Sequence, residues 1–207
     1  MPRVLTNSSC GPLSGAIQCI DALLHTEPFY SKRPRRESAW SMSLRIAKDP
    51  SATEGGWDTL RYVCDRGVAD LWARARLLST VDVVVAVPSR TCRLRHRAMS
   101  LPDEFGRAVH DSLGLRYESD ALISAIDHIE IKRIPIEHRR QAVTGTFAVA
   151  TAKLAGKSVL LVDDISTTGA TLAECAQQLR NAGVSAVVAY TLGRTADFPP
   201  VSQLPER

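Results

Sequence analysis

The stretch Val159-Leu160-Leu161-Val162-Asp163-Asp164-Ile165-Ser166-Thr167-Thr168-Gly169-Ala170-Thr171-Leu172 decides how this chain is read. Four apolar residues predict a buried strand. Two adjacent carboxylates close it, a run of hydroxyl residues with Gly169 follows, and a helix starts at Ala170. In open α/β sheets, ligands bind at the carboxyl ends of strands. Backbone N–H groups at a helix N-terminus favour an anion, and Gly169 lets the backbone approach it closely. Ser166, Thr167, Thr168 and Thr171 add hydroxyl donors. Carboxylates repel phosphate, so Asp163 and Asp164 are expected to face another part of the same ligand. Sugar hydroxyls, or a metal held through them, are the sensible partners. A phosphate, a diol and a metal together describe a phosphorylated ribose. The glycine spacing fits neither a Walker A loop nor a dinucleotide fingerprint. Capping of a plain strand-to-helix turn explains one Asp and a hydroxyl or two. It does not explain an Asp pair closing an apolar strand ahead of T-T-G-x-T.

Outward from this stretch the pattern stays α/β. Val81–Val87 is almost continuously apolar and predicts a second buried strand, stopped by Pro88. A basic loop, Arg90–Arg97, follows, and then a helix near 101–113. Ser100 and Asp103 have capping-box spacing and Gly114 supplies the stop. Arg116–Ile123, Thr146–Ala150 and Ala186–Leu192 are expected strands, and Ala170–Ala182 an amphipathic helix ended by Gly183. Residues 124–144 are polar and aperiodic, a long loop or a loop with a short helix, and long enough to be functional. Earlier in the chain, Leu60, Val63, Cys64, Val68, Leu71, Trp72, Ala75 and Leu78 recur at helical spacing. Asp58 is the expected N-cap, and Gly67 is expected to break the stretch into two helices. Trp40, Trp57 and Trp72 are read as core or hood packing. The expected organisation is an N-terminal extension or hood over 1–57, partly flexible, a core over 58–195 and a tail over 196–207. Alternating strands and helices imply a mostly parallel central sheet flanked by helices.

Composition excludes more than it selects. The chain has 207 residues, 44% hydrophobic and 23% charged, as in an ordinary globular protein. No apolar run approaches membrane-spanning length, so no membrane partner is expected. Ala16–Leu24 is interrupted by Asp21 and lacks a basic segment of weight before it, so a cytoplasmic location is expected. The five cysteines form no C-x-x-C pair, which argues against a zinc ribbon or disulfide framework. Cys175 near a helix start is read as a packed cysteine. A net charge of +4 is too small to mark a nucleic-acid binder, although Lys and Arg cluster at 32–36, 90–97 and 132–140.

Asp163–Thr171 resembles the 5-phosphoribosyl-1-pyrophosphate (PRPP) signature of type I phosphoribosyltransferases. The resemblance implies their fold, and it implies that Asp163 and Asp164 bind the ribose 2′- and 3′-hydroxyls. Ser166, Thr167, Thr168, Gly169, Ala170 and Thr171 would wrap the 5′-phosphate. Mg2+ would bridge pyrophosphate and ribose oxygens, with Asp163 and Asp164 reaching it indirectly. The chain also resembles the ComF-like branch of that family. Val87-Pro88 before the arginine-rich loop matches the pyrophosphate-loop position, which makes Ser89 and Arg90 candidates. Arg139–Phe147 and Arg61–Gly67 are similar to two further segments of that branch. The branch's Asn near Ala142 and its N-terminal zinc-binding cysteines are absent.

The implied reaction is transfer of the phosphoribosyl group to a nitrogen nucleophile, a base or amine, with pyrophosphate leaving. Arg139 and Arg140 would bring charge in on a lid formed by 124–144, against a simpler role as partners of Glu137. The rival expectation is a non-enzymatic PRPP-binding or regulatory protein, ComF-like, tied to DNA uptake or nucleotide sensing, with nucleic acid as a partner. A homodimer is common for such folds.

Overall fold

The computed structural model describes residues 20–29, 38–89, 99–125 and 142–195. The basic patch Lys32–Arg36, the loop Arg90–Arg97, the segment 126–141 with Arg139 and Arg140, and the tail from 196 lie outside them. The described elements run β1 (Ala22–Phe29), α1 (Ala39–Ala47), a 3-10 turn (Pro50–Ala52), α2 (Gly56–Trp72), α3 (Ala75–Leu78), β2 (Val83–Ala86) and α4 (Leu101–Leu113). Then come β3 (Arg116–Tyr117), β4 (Leu122–Ser124), β5 (Phe147–Val149), a second 3-10 turn (Ala152–Leu154), β6 (Ser158–Ser166), α5 (Ala170–Asn181) and β7 (Ala186–Thr195).

Five strands form one sheet in the order β1-β7-β6-β2-β3, and every pairing is parallel. All five carboxyl ends therefore meet at one edge. Strand alternation sorts the side chains onto two faces. Val84, Ala86, Leu160, Val162, Val188 and Tyr190 pack under α1, α2 and α4. Val83, Val85, Val159, Leu161, Val187 and Ala189 pack under α5 through Leu172, Cys175, Ala176 and Leu179. Burial on both faces is why these strands read as continuous apolar runs rather than alternating ones. β4 and β5 form a separate antiparallel pair.

Several expectations change. The helix over 56–72 is continuous through Gly67. A Cβ there would lie 2.6 Å from both Leu192 Cδ2 and Phe105 Cε2, so glycine serves close packing rather than a break. The helix is capped by Gly55 at φ 68°, with Asp58 inside its first turn, where a carboxylate complements the helix dipole. The Ser100–Asp103 capping box does not form. Ser100 is the N-cap without a side-chain cap bond, its hydroxyl instead sharing a 2.7 Å hydrogen bond with Ser89. Asp103 accepts from Arg107 and from the Tyr117 hydroxyl. Arg116–Ile123 is divided between β3 and β4 in different sheets. Trp40 is buried, with its indole N–H donating to Leu192 O at 2.9 Å, but Trp57 and Trp72 are 55% and 66% exposed.

Part of the N-terminal stretch is structural. β1 is the edge strand of the central sheet, in register with β7 from Ala22↔Val188 to Phe29↔Thr195. Pro28 and the Glu27–Arg66 ion pair at 3.4 Å suit an edge. Tyr190 ties β1, β7 and α2 together. Its buried ring stacks on Phe105 at 5.6 Å, and its hydroxyl meets Thr26 Oγ1 at 2.6 Å, Asp70 Oδ2 at 2.8 Å and Gly67 O at 3.3 Å. Burial holds this phenol protonated far above its ordinary pKa. Tyr190→Phe should lower unfolding stability by about 1–3 kcal/mol in urea titration, because Asp70 and Thr26 lose a buried partner.

Candidate functional site at the carboxyl end of β6

β6 continues past its apolar residues and carries Asp163, Asp164 and Ser166 within the strand, Ser166 pairing with Arg194 of β7. Only Thr167–Gly169 remain as the turn. Gly169 is the N-cap of α5 at φ 78°, a left-handed conformation that glycine adopts without strain. The Ala170 N–H donates to Thr168 Oγ1 at 3.3 Å, and Thr167 Oγ1 lies 3.3 Å from Thr195 Oγ1. The first turn of α5 holds no acidic residue, so nothing there opposes the attraction of a helix N-terminus for an anion. Ser166 and Gly169 are buried, while Thr167, Thr168, Ala170 and Thr171 are half-buried, a compact and partly open cradle.

The two carboxylates differ in surroundings. Asp163 Oδ1 accepts the Asp164 N–H at 2.8 Å. Its charge also contributes, after burial, to raising the Cys175 thiol on α5 far above its usual range, which leaves that cysteine a packed, unreactive thiol. Asp164 Oδ1 accepts the Ile165 N–H at 2.5 Å, and Asp164 Oδ2 pairs with Lys48 Nζ at 2.6 Å. Lys48 is the C-cap of α1. One carboxylate thus serves the α5 side and the other the α1 side.

Neighbouring strands supply the rest of the rim. Ser89 follows β2, whose Val87 N–H still donates to Val162 O at 2.9 Å, so it sits beside the end of β6. Arg194 lies across from Ser166 on β7. His25 and Thr191 share the register level of Asp163 across β1, β7 and β6. Among the described residues, His25 Nδ1 and Thr191 Oγ1 are the buried side-chain atoms without a hydrogen-bond partner. Arg90 and Arg139 fall outside the described residues, but the flanks of the segment that holds Arg139 are joined. The Ala125 N–H donates to Thr146 O at 2.8 Å, and the Gly145 N–H donates to Glu174 Oε1 on α5 at 2.8 Å.

Sequence reasoning missed Lys48, Arg194 and His25. For Arg194 a signal exists: it is the charged residue at the carboxyl end of an apolar strand, where ligands bind. Lys48 and His25 lie in stretches without usable periodicity. His25 is held below the ordinary histidine pKa first by burial, then by the charges of Arg194 and Arg74, with Asp70 opposing. The unfolded chain therefore takes up a proton below about pH 6.5 that the folded chain refuses. Stability should fall as pH drops through that value and level off below the folded pKa. His25→Asn should flatten this part of the pH profile, as read from urea midpoints between acid and neutral pH.

Residues 105–197 match the family model described as the phosphoribosyl transferase domain, a span from α4 past the end of β7 that includes the whole turn. No curated protein matches the chain. Similar solved structures include the Bacillus subtilis glutamine PRPP amidotransferase complexed with ADP and GMP, at 24% identity and TM-score 0.36, covering 53% of this chain and 22% of that one. A purine phosphoribosyltransferase from Pyrococcus horikoshii is 17% identical with TM-score 0.40, covering 70% and 94%. A hypoxanthine phosphoribosyltransferase from Staphylococcus aureus is 15% identical with TM-score 0.39, covering 83% and 74%. The chain spans 22% and 21% of the first two structures it matches, the second being an allosteric regulatory enzyme of purine biosynthesis. No helix among the described residues is long and apolar enough to cross a membrane. Residues 105–197 thus carry the match to the phosphoribosyl transferase domain, and they supply β3, β6 and β7 of the parallel five-stranded sheet flanked by helices.

Proposed function

We propose that the chain binds PRPP at the end of β6 and transfers its 5-phosphoribosyl group to a nitrogen nucleophile, a base or amine. The observation that carries this reading is the acidic pair standing directly ahead of a glycine-capped helix N-terminus at the carboxyl edge of a parallel sheet. Asp163 and Asp164 would accept the ribose hydroxyls. Ser166 to Thr171 would hold the 5′-phosphate through hydroxyls and backbone N–H groups. Ser89 and Arg90 would meet the pyrophosphate. In the reaction the bond from ribose C1 to the pyrophosphate oxygen breaks and a C1–N bond forms. Pyrophosphate leaves with the bonding pair, and the nucleophile gives up a proton.

Among the described residues no group of three or more His, Cys, Asp or Glu side chains could hold a metal ion. The donor set suits Mg2+ held by ligand oxygens and water, with Asp163 and Asp164 behind them, as that ion commonly is with phosphate ligands. When bound, it would neutralise charge on the leaving pyrophosphate. The charge that builds there also calls for cations from the chain. Arg139, in the segment whose flanks are joined at Ala125 and Thr146, is our candidate. Closure of that segment would keep water from the electron-poor ribose carbon. The N-terminal part, 1–57, beyond the β1 and α1 that it contributes to the core, is the proposed acceptor hood.

Calorimetric titration of PRPP with magnesium tests the reading, followed by pyrophosphate release against a panel of bases and amines. Binding with release supports the enzyme. Binding without release under any acceptor selects a ComF-like regulatory protein, for which salt-sensitive nucleic-acid binding is the next assay. A folded protein that binds no PRPP overturns both.

A further inference from the structure

Lys48 belongs to no motif, yet it makes a short, largely buried ion pair with the acidic pair. Its Nζ is 2.6 Å from Asp164 Oδ2, and the side chains are 15% and 20% exposed. Its placement follows from packing. α1 is pinned to β7 by the Trp40 indole N–H bonded to Leu192 O at 2.9 Å and by the fully buried Leu44. At Gly193 a Cβ would come within 2.9 Å of Leu44 Cδ1, so glycine there lets α1 lie close over the carboxyl end of β7. The last turn of α1 then ends beside the next strand, β6. A cation at a helix C-terminus is also favoured by the helix dipole.

Two adjacent carboxylates next to an anion cradle repel each other and the phosphate. A buried carboxylate without a counter-charge is strongly disfavoured. Lys48 answers both problems, since an ammonium is a compact charge with three donors and can keep Asp164 while facing a ligand oxygen. We propose that Lys48 is the resident counter-cation of the acidic pair and sets how far phosphoribose binding at this site depends on a divalent metal. The proposal rests on reading the site as one for phosphoribose.

Ribose 5-phosphate separates the two ideas, because it carries the sugar and the 5′-phosphate but no pyrophosphate to recruit metal. The wild-type protein should bind it in EDTA and in magnesium with affinities within about threefold. Lys48→Met should bind it at least about tenfold more weakly in EDTA and recover much of the loss in magnesium. Lys48→Arg, which keeps the charge, should stay near wild type without metal. Lys48→Gln provides a second neutral variant should the methionine protein fold poorly. In an Asp164→Asn background, removing Lys48 should no longer change the metal dependence. Equal binding by wild type and both neutral variants in EDTA overturns the proposal. So does wild-type binding of ribose 5-phosphate that is absent without magnesium. If the folded wild type binds neither ribose 5-phosphate nor PRPP, the phosphoribose reading itself falls. If it binds PRPP and not ribose 5-phosphate, that reading stands and the role of Lys48 is refuted.

Discussion

Asp163→Asn combined with Asp164→Asn should weaken PRPP binding by about 10²- to 10⁴-fold. A hydrogen bond to a charged acceptor contributes about 1.5–3 kcal/mol. Two of them from the ribose diol make about 3–6 kcal/mol, and each 1.4 kcal/mol is a factor of ten in affinity. The fold should survive. β6 is held to β2 and β7 by backbone ladders, and an asparagine oxygen can still accept the Asp164 and Ile165 N–H groups. What the folded state loses is the charged partner of Lys48, whose side chain is only 15% exposed, so a modest drop in melting temperature should accompany the loss of binding. Calorimetry beside a thermal melt separates the two effects. Affinity within about threefold of wild type would remove the acidic pair from the ligand site.

Gly67→Leu should destabilise the fold by about 3 kcal/mol or more, a large share of the 5–15 kcal/mol typical of a domain. Position 67 lies in the middle of α2, where leucine would gain about 0.8 kcal/mol in helix propensity over glycine. Packing decides the sign. The new Cβ alone would sit 2.6 Å from Leu192 Cδ2 and from Phe105 Cε2, both on side chains with 0% exposure. Neither neighbour can swing away, because Phe105 is stacked on Tyr190 and Leu192 is held in the sheet. Relief requires α2 to lift from the sheet, which would also pull the Gly67 carbonyl and Asp70 from the Tyr190 hydroxyl. Gly67→Ala, with the same Cβ and no further atoms, should be milder. A urea midpoint unchanged in Gly67→Leu would show that α2 is not seated on β7 as described.

The central layers of the fold were legible in the sequence because their cause is local. Val83–Ala86 and Val159–Val162 are apolar without alternation, the signature of strands covered on both faces, and α5 shows its buried stripe at Leu172, Ala176 and Leu179. Glycine at 114 does end α4, with φ 68°. The same local reasoning misjudged Gly67, since a glycine in a helical stretch reads as a break unless the two side chains waiting above it are known. It misjudged Ser100, whose hydroxyl turns to Ser89, eleven residues away in sequence and adjacent only after folding.

The candidate site divides along the same line. Asp163 to Thr171 are contiguous, and their local structure could be read because strand, carboxylates, turn and helix start follow one another along the chain. β1 was illegible, since Ala-Leu-Leu-His-Thr-Glu-Pro-Phe has no usable period and becomes a strand only when β7 offers its open edge. Lys48 meets Asp164 from the end of α1, and Arg194 and His25 stand near it in register on β7 and β1. Their places depend on sheet order, on the β1–β7–β6 register and on the close seat of α1 over Gly193. The sequence by itself determined the fold class and the strand–turn–helix around Gly169, because both follow from hydrophobic period and backbone geometry within a short span. Only the tertiary structure decided which cation meets Asp164, because that contact joins residues 116 positions apart through packing that no local pattern encodes.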